Sequence, residues 1–156
     1  MRIAAARAST VTKRLALALL AAITAALVAA APAHADENSD RCFKDEGEAA
    51  IAACTRAIQS GKFSGEPLAA IYHNRAIELR RDGDYDRAIA DYSQAVRLEP
   101  EFTGAYAGRG LAHEGKGEIE KAKTEYRKAL AVAPKYDDGQ WAHETASARL
   151  KALGEN

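Results

Sequence analysis

Apolar and small residues recur at helical spacing along the second half of the chain. Tyr72 and Ala76 are four residues apart and Leu79 follows three later, so the three share one face of a helix. A polar turn interrupts the pattern, because Gly83 tolerates positive φ and Asp84 is placed to cap a second helix. That helix repeats the spacing and ends before a proline; its landmarks are Ala88, Tyr92, Ala95 and Pro100. The pattern predicts two antiparallel helices joined by a tight turn.

The hairpin pattern recurs at an offset of 34 residues. When residues 69–102 are aligned with residues 103–136, seven landmarks coincide. They are Tyr72 with Tyr106, Ala76 with Gly110, Gly83 with Gly117, Ala88 with Ala122, Tyr92 with Tyr126, Ala95 with Ala129 and Pro100 with Pro134. A fixed period of this length is the signature of a repeat architecture. We therefore expect two helix hairpins stacked in tandem.

The 34-residue pattern resembles the tetratricopeptide repeat, in which an aromatic, a small and an apolar residue precede Ala, an aromatic, Ala and Pro. The second copy departs from it at His113, where a large apolar residue is usual. A partial third copy lies upstream in Ala50, Cys54 and Ala57, without a recognisable first helix. The resemblance implies an all-α fold, a right-handed superhelical stack of antiparallel helix hairpins with a C-terminal capping helix.

The predicted organisation divides the chain into five segments. They are a signal peptide over 1–35, a disulfide-stapled partial repeat with its linker over 36–68, repeats over 69–102 and 103–136, and a capping helix over 137–156. The linker is expected within residues 60–67. In the capping helix, the apolar edge that covers the last hairpin is expected to consist of Trp141, Thr145, Ala148 and Leu150.

The first 35 residues have the layout of a secretory signal peptide. Basic residues end at Arg14, an apolar run covers residues 15–31, and Ala33 and Ala35 precede a cleavage point before Asp36. A retained anchor helix and a mitochondrial transit peptide are the alternatives. The apolar run is slightly shorter than the roughly 20 residues of a membrane span, which disfavours the anchor helix. We expect cleavage, export to the periplasm and no stable membrane insertion afterwards.

The charge balance changes once the signal is removed. The whole chain carries 22 basic and 22 acidic side chains. Four of the basic ones and none of the acidic ones lie in the first 35 residues, so the remainder has a net charge of −4. Binding to a nucleic-acid backbone requires clustered Lys and Arg. We therefore expect no nucleic-acid partner.

Cys42 and Cys54 are the only cysteines. In an oxidising compartment they are expected to form a disulfide. The bridge would pin an irregular N-terminal segment onto a lone helix near residues 47–59. No Cys-x-x-Cys motif offers a redox or zinc site.

Side chains capable of catalysis or metal binding are scattered rather than grouped. His73, His113 and His143 lack the spacing of metal ligands, and most acidic residues fall in turns or on exposed faces. Gly104 and Gly108 are spaced for close helix packing. We predict no catalytic residues, no metal site and no cofactor.

The resemblance also suggests where a partner binds, because such repeats use the concave surface of their first helices. It places ten side chains there: His73, Asn74, Ile77, Arg80, Arg81, Ala107, Leu111, Glu114, Trp141 and Thr145. The predicted protein is a non-catalytic adaptor or scaffold of the cell envelope, a monomer or weak homodimer, that binds a protein or peptide there. The alternatives are a subunit of a larger periplasmic assembly or a self-associating protein that uses its N-terminal end or convex face. An enzyme or small-ligand carrier is the third class.

Overall fold

The computed structural model describes residues 36–155, and these form seven α-helices. They are α1 Glu37–Lys44, α2 Gly47–Gln59, α3 Gly65–Arg81, α4 Tyr85–Leu98, α5 Thr103–Gly115, α6 Ile119–Ala131 and α7 Gly139–Ala152. Each helix contacts the next, and α1 contacts α3, α3 contacts α5, and α5 contacts α7. This arrangement confirms the predicted all-α stack of helix hairpins. The predicted signal peptide lies outside the described residues.

The turns within the two full repeats follow the same plan. Gly83 has a φ of +80° and Gly117 a φ of +75°, so both positions need the conformation that glycine adopts without strain. The Asp84 side chain accepts a hydrogen bond of 3.3 Å from the amide of Arg87, in the first turn of α4. The predicted turn and helix cap are therefore confirmed in the first repeat.

The segment before α2 is a helix, so the prediction of an irregular segment is wrong. Asp36 caps α1 by accepting a hydrogen bond from the amide of Asn38. The disulfide between Cys42 and Cys54 joins α1 to α2, and both cysteines are fully buried. Cys42 is the one buried residue of α1, which explains why the sequence shows no apolar stripe there. The disulfide thus completes a third hairpin.

Helix α3 starts at Gly65, inside the segment expected to be the linker. Pro67 occupies its first turn, where the backbone amides have no partner within the helix. A proline is tolerated at such a position because it removes no helical hydrogen bond. The connection from α2 is therefore limited to residues 60–64.

The core is built from the landmark residues of the repeats. Tyr92 and Tyr126 are the largest fully buried side chains, and small alanines surround them. The partial copy contributes in the same way, since Ala50, Cys54 and Ala57 are all inaccessible to solvent. Small residues on facing helices let the hairpins approach closely while each tyrosine fills the remaining space.

A buried ion pair joins the two helices of the first full repeat. The Arg75 guanidinium donates two hydrogen bonds to the Asp91 carboxylate, at 2.7 and 2.8 Å. Its third nitrogen donates to the Thr55 hydroxyl at 2.9 Å, on helix α2 of the preceding hairpin. Arg75 therefore ties its own hairpin together and also ties it to its neighbour.

The second repeat reproduces this arrangement 34 residues later. Arg109 donates to the Glu125 carboxylate at 2.9 Å and to the Ser93 hydroxyl at 3.0 Å, on α4 of the preceding hairpin. The sequence contains the signal for this ladder, because Arg75 matches Arg109 and an acidic residue follows each by 16 positions. The ion pairs supply a repeated, directional contact along the stack.

The capping helix buries a different face from the one predicted. Its buried residues are Gly139, Ala142, Ala146 and Leu150. Of the predicted apolar edge, only Leu150 is buried, whereas Trp141 is 46% exposed and Ala148 is also exposed. The approach to the second repeat is too close for a large side chain, since a Cβ on Gly139 would lie 2.7 Å from the Cβ of Pro134. Small residues therefore form the first part of the contact and Leu150 its end, and the tryptophan faces outward.

None of the helices described in residues 36–155 is both long enough and apolar enough to cross a membrane.

Candidate functional site

His73 lies at the junction of α3 with the start of α5 and the loop before α7. Its side chain is 12% exposed and its ring centroid lies 4.5 Å from that of Phe102 and 5.6 Å from that of Tyr92. Burial, with a smaller contribution from the positive charge of Arg80, lowers the pKa of His73 to about 4, against a hydrogen bond to the Gly104 backbone that raises it. The imidazole is therefore neutral at pH 7.

The neighbouring predicted residues on α3 serve both structure and surface. The Asn74 amide donates to the carbonyl oxygen of Cys42, which ties α3 to α1 beside the disulfide. Ile77 is partly buried against the core of the first full repeat. Because the Asn74 amide already donates one hydrogen bond, a partner can bind it only through the second N–H or the side-chain carbonyl oxygen.

The two arginines at the end of α3 differ in their contacts. Arg81 donates a hydrogen bond of 2.6 Å to Glu78, although 57% of its side chain is exposed. Arg80 is partly buried, and its Nε is a buried atom without a hydrogen-bond partner among the described residues. A partner can therefore reach Arg80 only at the exposed part of its side chain, through its positive charge.

The predicted residues on α5 lie in different environments. Ala107 is fully buried in the core of the second repeat, and Leu111 packs against that core. The Glu114 carboxylate accepts hydrogen bonds from the Tyr126 hydroxyl at 2.7 Å and from Arg149 Nε at 3.0 Å. The hydrogen bond from Arg149 lowers the pKa of Glu114, against a smaller effect of burial. Helix α7 therefore already occupies the carboxylate of Glu114.

The predicted residues on α7 remain accessible. Trp141 is 46% exposed, and Thr145 is partly exposed one turn further along the helix. A solvent-exposed tryptophan is unusual on a protein surface, and tryptophan is a common anchor in protein interfaces. The structure does not show a contact between Trp141 and the predicted residues of α3.

A cavity of about 490 Å³ opens beside α3, and we call it the α3 cavity. It brings together three of the predicted residues with seven that the sequence analysis did not select. The predicted residues are His73, Asn74 and Ile77, and the others are Phe43, Glu66, Ala70, Phe102, Tyr136, Asp137 and Asp138. Its lining combines exposed carboxylates with aromatic rings.

The aromatic residues of the α3 cavity leave a trace in the sequence. Phe102 and Tyr136 each end a repeat and are 34 positions apart. Their ring centroids lie 5.0 Å apart. Aromatic residues at equal repeat positions therefore identify this part of the wall, whereas Phe43 depends on the disulfide-linked α1 and has no such signal.

Within residues 36–155 no group of three or more His, Cys, Asp or Glu side chains is arranged to hold a metal ion. The chemistry on this surface consists of hydrogen bonding, charge and apolar contact. These are the means of molecular recognition.

Two family profiles match the repeat region of the chain. Residues 77–117 match a profile described as a TPR repeat, and residues 103–136 match one described as a tetratricopeptide repeat. The two matches overlap and together cover the first full repeat from the middle of α3 and the whole second repeat.

Relatives of known identity share this region at about one third identity. The chain is 33% identical over 96 residues to the Hsp70-Hsp90 organizing protein of Triticum aestivum, covering 58% of this chain and 16% of the relative. It is 35% identical over 101 residues to the small glutamine-rich tetratricopeptide repeat-containing protein 2 of Mycosarcoma maydis, covering 64% and 27%. Serine/threonine-protein phosphatase T of Trypanosoma brucei brucei is 32% identical over 91 residues, and the match covers 18% of that relative. The chain thus spans a small part of each.

Solved structures show the same fold over most of the chain. The first TPR of Spaghetti (RPAP3), bound to the HSP90 peptide SRMEEVD, superposes with a TM-score of 0.56 at 25% identity, covering 74% of this chain and 92% of that one. The Arabidopsis OM64 TPR domain gives a TM-score of 0.57 at 23% identity, covering 73% and 92%.

Proposed function

Because this chain is a tetratricopeptide-repeat protein, we propose that it is a non-catalytic interaction module of the cell envelope that binds a peptide or protein segment along α3. One observation carries the proposal: the α3 cavity, of about 490 Å³, opens on the first helix of a repeat and is lined by apolar, aromatic and hydrogen-bonding side chains. A neighbour of the same fold holds a peptide, which supports this mode of binding.

The proposed contact surface runs from the α3 cavity towards Arg80, with Trp141 of α7 as an additional anchor. Arg80 supplies a positive charge at a partly exposed position, and Trp141 supplies exposed apolar area. These groups suit an extended segment that places a carboxylate near Arg80. The chain acts as an adaptor, and it is a monomer or weak homodimer.

The proposed location is the periplasm. It rests on the signal-like first 35 residues and on the buried disulfide between Cys42 and Cys54, a bond that persists in oxidising compartments. Osmotic-shock release followed by N-terminal sequencing tests it. A released protein that begins at Asp36 supports the proposal, and a full-length protein in the membrane fraction refutes it.

Affinity capture tests the binding surface. The bait is the exported protein, compared with an Arg80→Glu, Trp141→Ala variant and with a control variant, Arg97→Glu, Leu130→Ala. The control makes the same kinds of change at exposed positions on α4 and α6, away from the proposed surface. Proteins retained by the wild type and the control but lost by the first variant support the proposal. Equal retention by all three baits would show that the partner binds elsewhere. If the bait captures only itself, the self-associating alternative is favoured, and the mass of the protein in solution then decides.

A further inference from the structure

The α3 cavity has an uneven charge that the proposed function does not use. Three carboxylates line it, those of Glu66, Asp137 and Asp138, and none of its lining residues is Lys or Arg. Its one imidazole, that of His73, is neutral at pH 7 because burial lowers the pKa of His73 to about 4. On the neighbouring loop the charge of Lys135 is compensated, since its Nζ lies 3.5 Å from Glu99 and 3.3 Å from Glu101, although the same Nζ lies 5.2 Å from the centroid of the Tyr136 ring. The cavity therefore carries a net negative charge.

The walls of the cavity are aromatic and aliphatic. Phe43 is 51% exposed at one side, and the rings of Phe102 and Tyr136 lie 5.0 Å apart at another. Ala70 and Ile77 of α3 add aliphatic surface. An organic cation gains from an aromatic ring within about 6 Å, and the methylene stem of a long side chain gains from aliphatic contact.

Asp138 adds an incomplete interaction at the edge of the cavity. Both of its carboxylate oxygens are buried and have no hydrogen-bond partner among the described residues. The Nε2 of His73 lies 3.8 Å from Oδ2, which is too long for a hydrogen bond. Because both oxygens are buried, a cation in the cavity interacts with this carboxylate through its charge and not through a direct hydrogen bond.

We infer that the α3 cavity is a recognition pocket for a basic side chain, Arg or Lys, presented by the protein segment that this module binds. The inference rests on the proposed function and deepens it, because it assigns a charge preference to one part of the surface. The α3 helix then carries opposite preferences at its two ends. A basic side chain of the partner enters beside Glu66 and His73, and an acidic group lies near Arg80, seven residues or about 10 Å further along the helix.

This preference separates the chain from its peptide-binding neighbour. The peptide held by the Spaghetti domain, SRMEEVD, ends in a cluster of acidic residues. Three carboxylates in the α3 cavity repel such a cluster, and like charges brought together at an interface disfavour the wrong partner. Because SRMEEVD also contains an arginine, only its acidic part, EEVD, is a useful negative probe.

Nuclear magnetic resonance titration tests the pocket directly. The sample is the protein purified after expression of the full chain. The probes are N-acetyl-arginine amide, its uncharged isostere N-acetyl-citrulline amide, and the acidic peptide EEVD. We expect the arginine compound to shift the amide signals of Asn74, Ile77 and Asp138 saturably at concentrations of about 10 mM, as suits a small fragment. The citrulline compound should bind at least about tenfold more weakly, which corresponds to the loss of one charge-assisted contact.

Two matched variants separate charge from shape. Glu66→Gln, Asp137→Asn neutralises two exposed residues of the cavity, so it leaves the core untouched and should weaken arginine binding about fivefold. Glu120→Gln, Glu144→Gln removes two exposed carboxylates elsewhere and should leave binding unchanged. Equal binding of the arginine and citrulline compounds, an unaffected cavity variant, preferential binding of EEVD at these amides, or no saturable shift would each overturn the inference. If capture still depends on Arg80 and Trp141 in that case, the proposed function stands and only the charge preference falls.

Discussion

Gly108 of α5 lies directly against the ring of Tyr92 on α4, so closely that a Cβ at residue 108 would be 2.5 Å from the ring Cζ. The second repeat contains a similar contact, since a Cβ at Gly110 would lie 2.6 Å from the Cε1 of Tyr126. The tyrosines that fill the helix interfaces therefore fit because the facing residues have no side chain. A Cβ at Gly104, four residues before Gly108, would likewise overlap the side chain of Asp138. The predicted close packing at both glycines is therefore confirmed.

Gly108→Ala tests this contact. Alanine favours a helix interior over glycine by about 1 kcal/mol, yet the added methyl group must displace the buried Tyr92 ring. Overpacking of a rigid core dominates, so we expect the free energy of unfolding to fall by about 1–3 kcal/mol. Urea denaturation measures it. The double variant with Tyr92→Leu should lose less than the sum of the two single changes, because the smaller side chain relieves the clash. A stabilised Gly108→Ala protein would contradict the packing argument.

Arg75→Met tests the buried ion-pair ladder. The change leaves Asp91, which is 6% exposed, as a buried carboxylate without its guanidinium partner. We expect a loss of about 3–5 kcal/mol in the free energy of unfolding, measured by chemical denaturation.

The matched controls for the ladder remove its parts separately. Thr55→Val deletes one hydrogen bond to Arg75 and should cost about 1 kcal/mol. Adding Asp91→Leu to Arg75→Met removes the stranded charge and should recover most of the lost stability. If the double variant is no more stable than Arg75→Met alone, the cost does not come from the unpaired carboxylate.

Reduction of the disulfide should destabilise the N-terminal hairpin most. The bond between Cys42 and Cys54 closes a short loop, and the chain-entropy model assigns it about 3 kcal/mol of stability. Helix α1 buries only Cys42, so it has little else to hold it on α2. Hydrogen exchange should therefore accelerate in α1 far more than in α6 after reduction or in a Cys42→Ala, Cys54→Ala variant. Equal melting temperatures with and without reductant would refute this role.

The buried His73 should make stability depend on pH. Burial lowers the pKa of His73 from 6.5 to about 4, so the unfolded chain takes up this proton at higher pH than the folded protein. The contribution of neutral His73 is complete above the unfolded pKa and is lost as the pH falls towards the folded one. Between about pH 7 and pH 5 the loss is about 2 kcal/mol.

A His73→Phe variant isolates this effect. Phenylalanine keeps the ring contacts with Phe102 and Tyr92 but cannot titrate. The measured quantity is the change in the free energy of unfolding from about pH 7 to about pH 5, which should be smaller in the variant by about 2 kcal/mol. Burial raises the pKa of Asp138, so protonation of Asp138 on acidification favours the folded protein and opposes the effect of His73. Both proteins contain Asp138, so the comparison between them isolates His73. Identical pH profiles would show that His73 is not the group responsible.

The sequence by itself determined the hairpins, their turns and their order along the chain. Those features depend on local rules: Tyr72, Ala76 and Leu79 share a helix face by their spacing, and Gly83 marks a turn because few other residues accept its φ. The 34-residue period then carried the first repeat's pattern to the second. The same period also relates the members of the ion-pair ladder and the aromatic pair of the cavity. These relations can be recognised only when the pairing of the helices is known.

The tertiary structure alone decided which surfaces remain for a partner. The capping helix turns Trp141 outward because it packs on the second repeat through Gly139, Ala142, Ala146 and Leu150, and its approach at Gly139 leaves no room for a side chain. Glu114 lies on the predicted face, but Arg149 already occupies its carboxylate. The α3 cavity brings together Phe43, His73 and Asp138 from distant parts of the chain. No local sequence pattern predicts that these three residues lie side by side. Spacing along a helix fixes the direction of a side chain, whereas its freedom to bind depends on what packs against it.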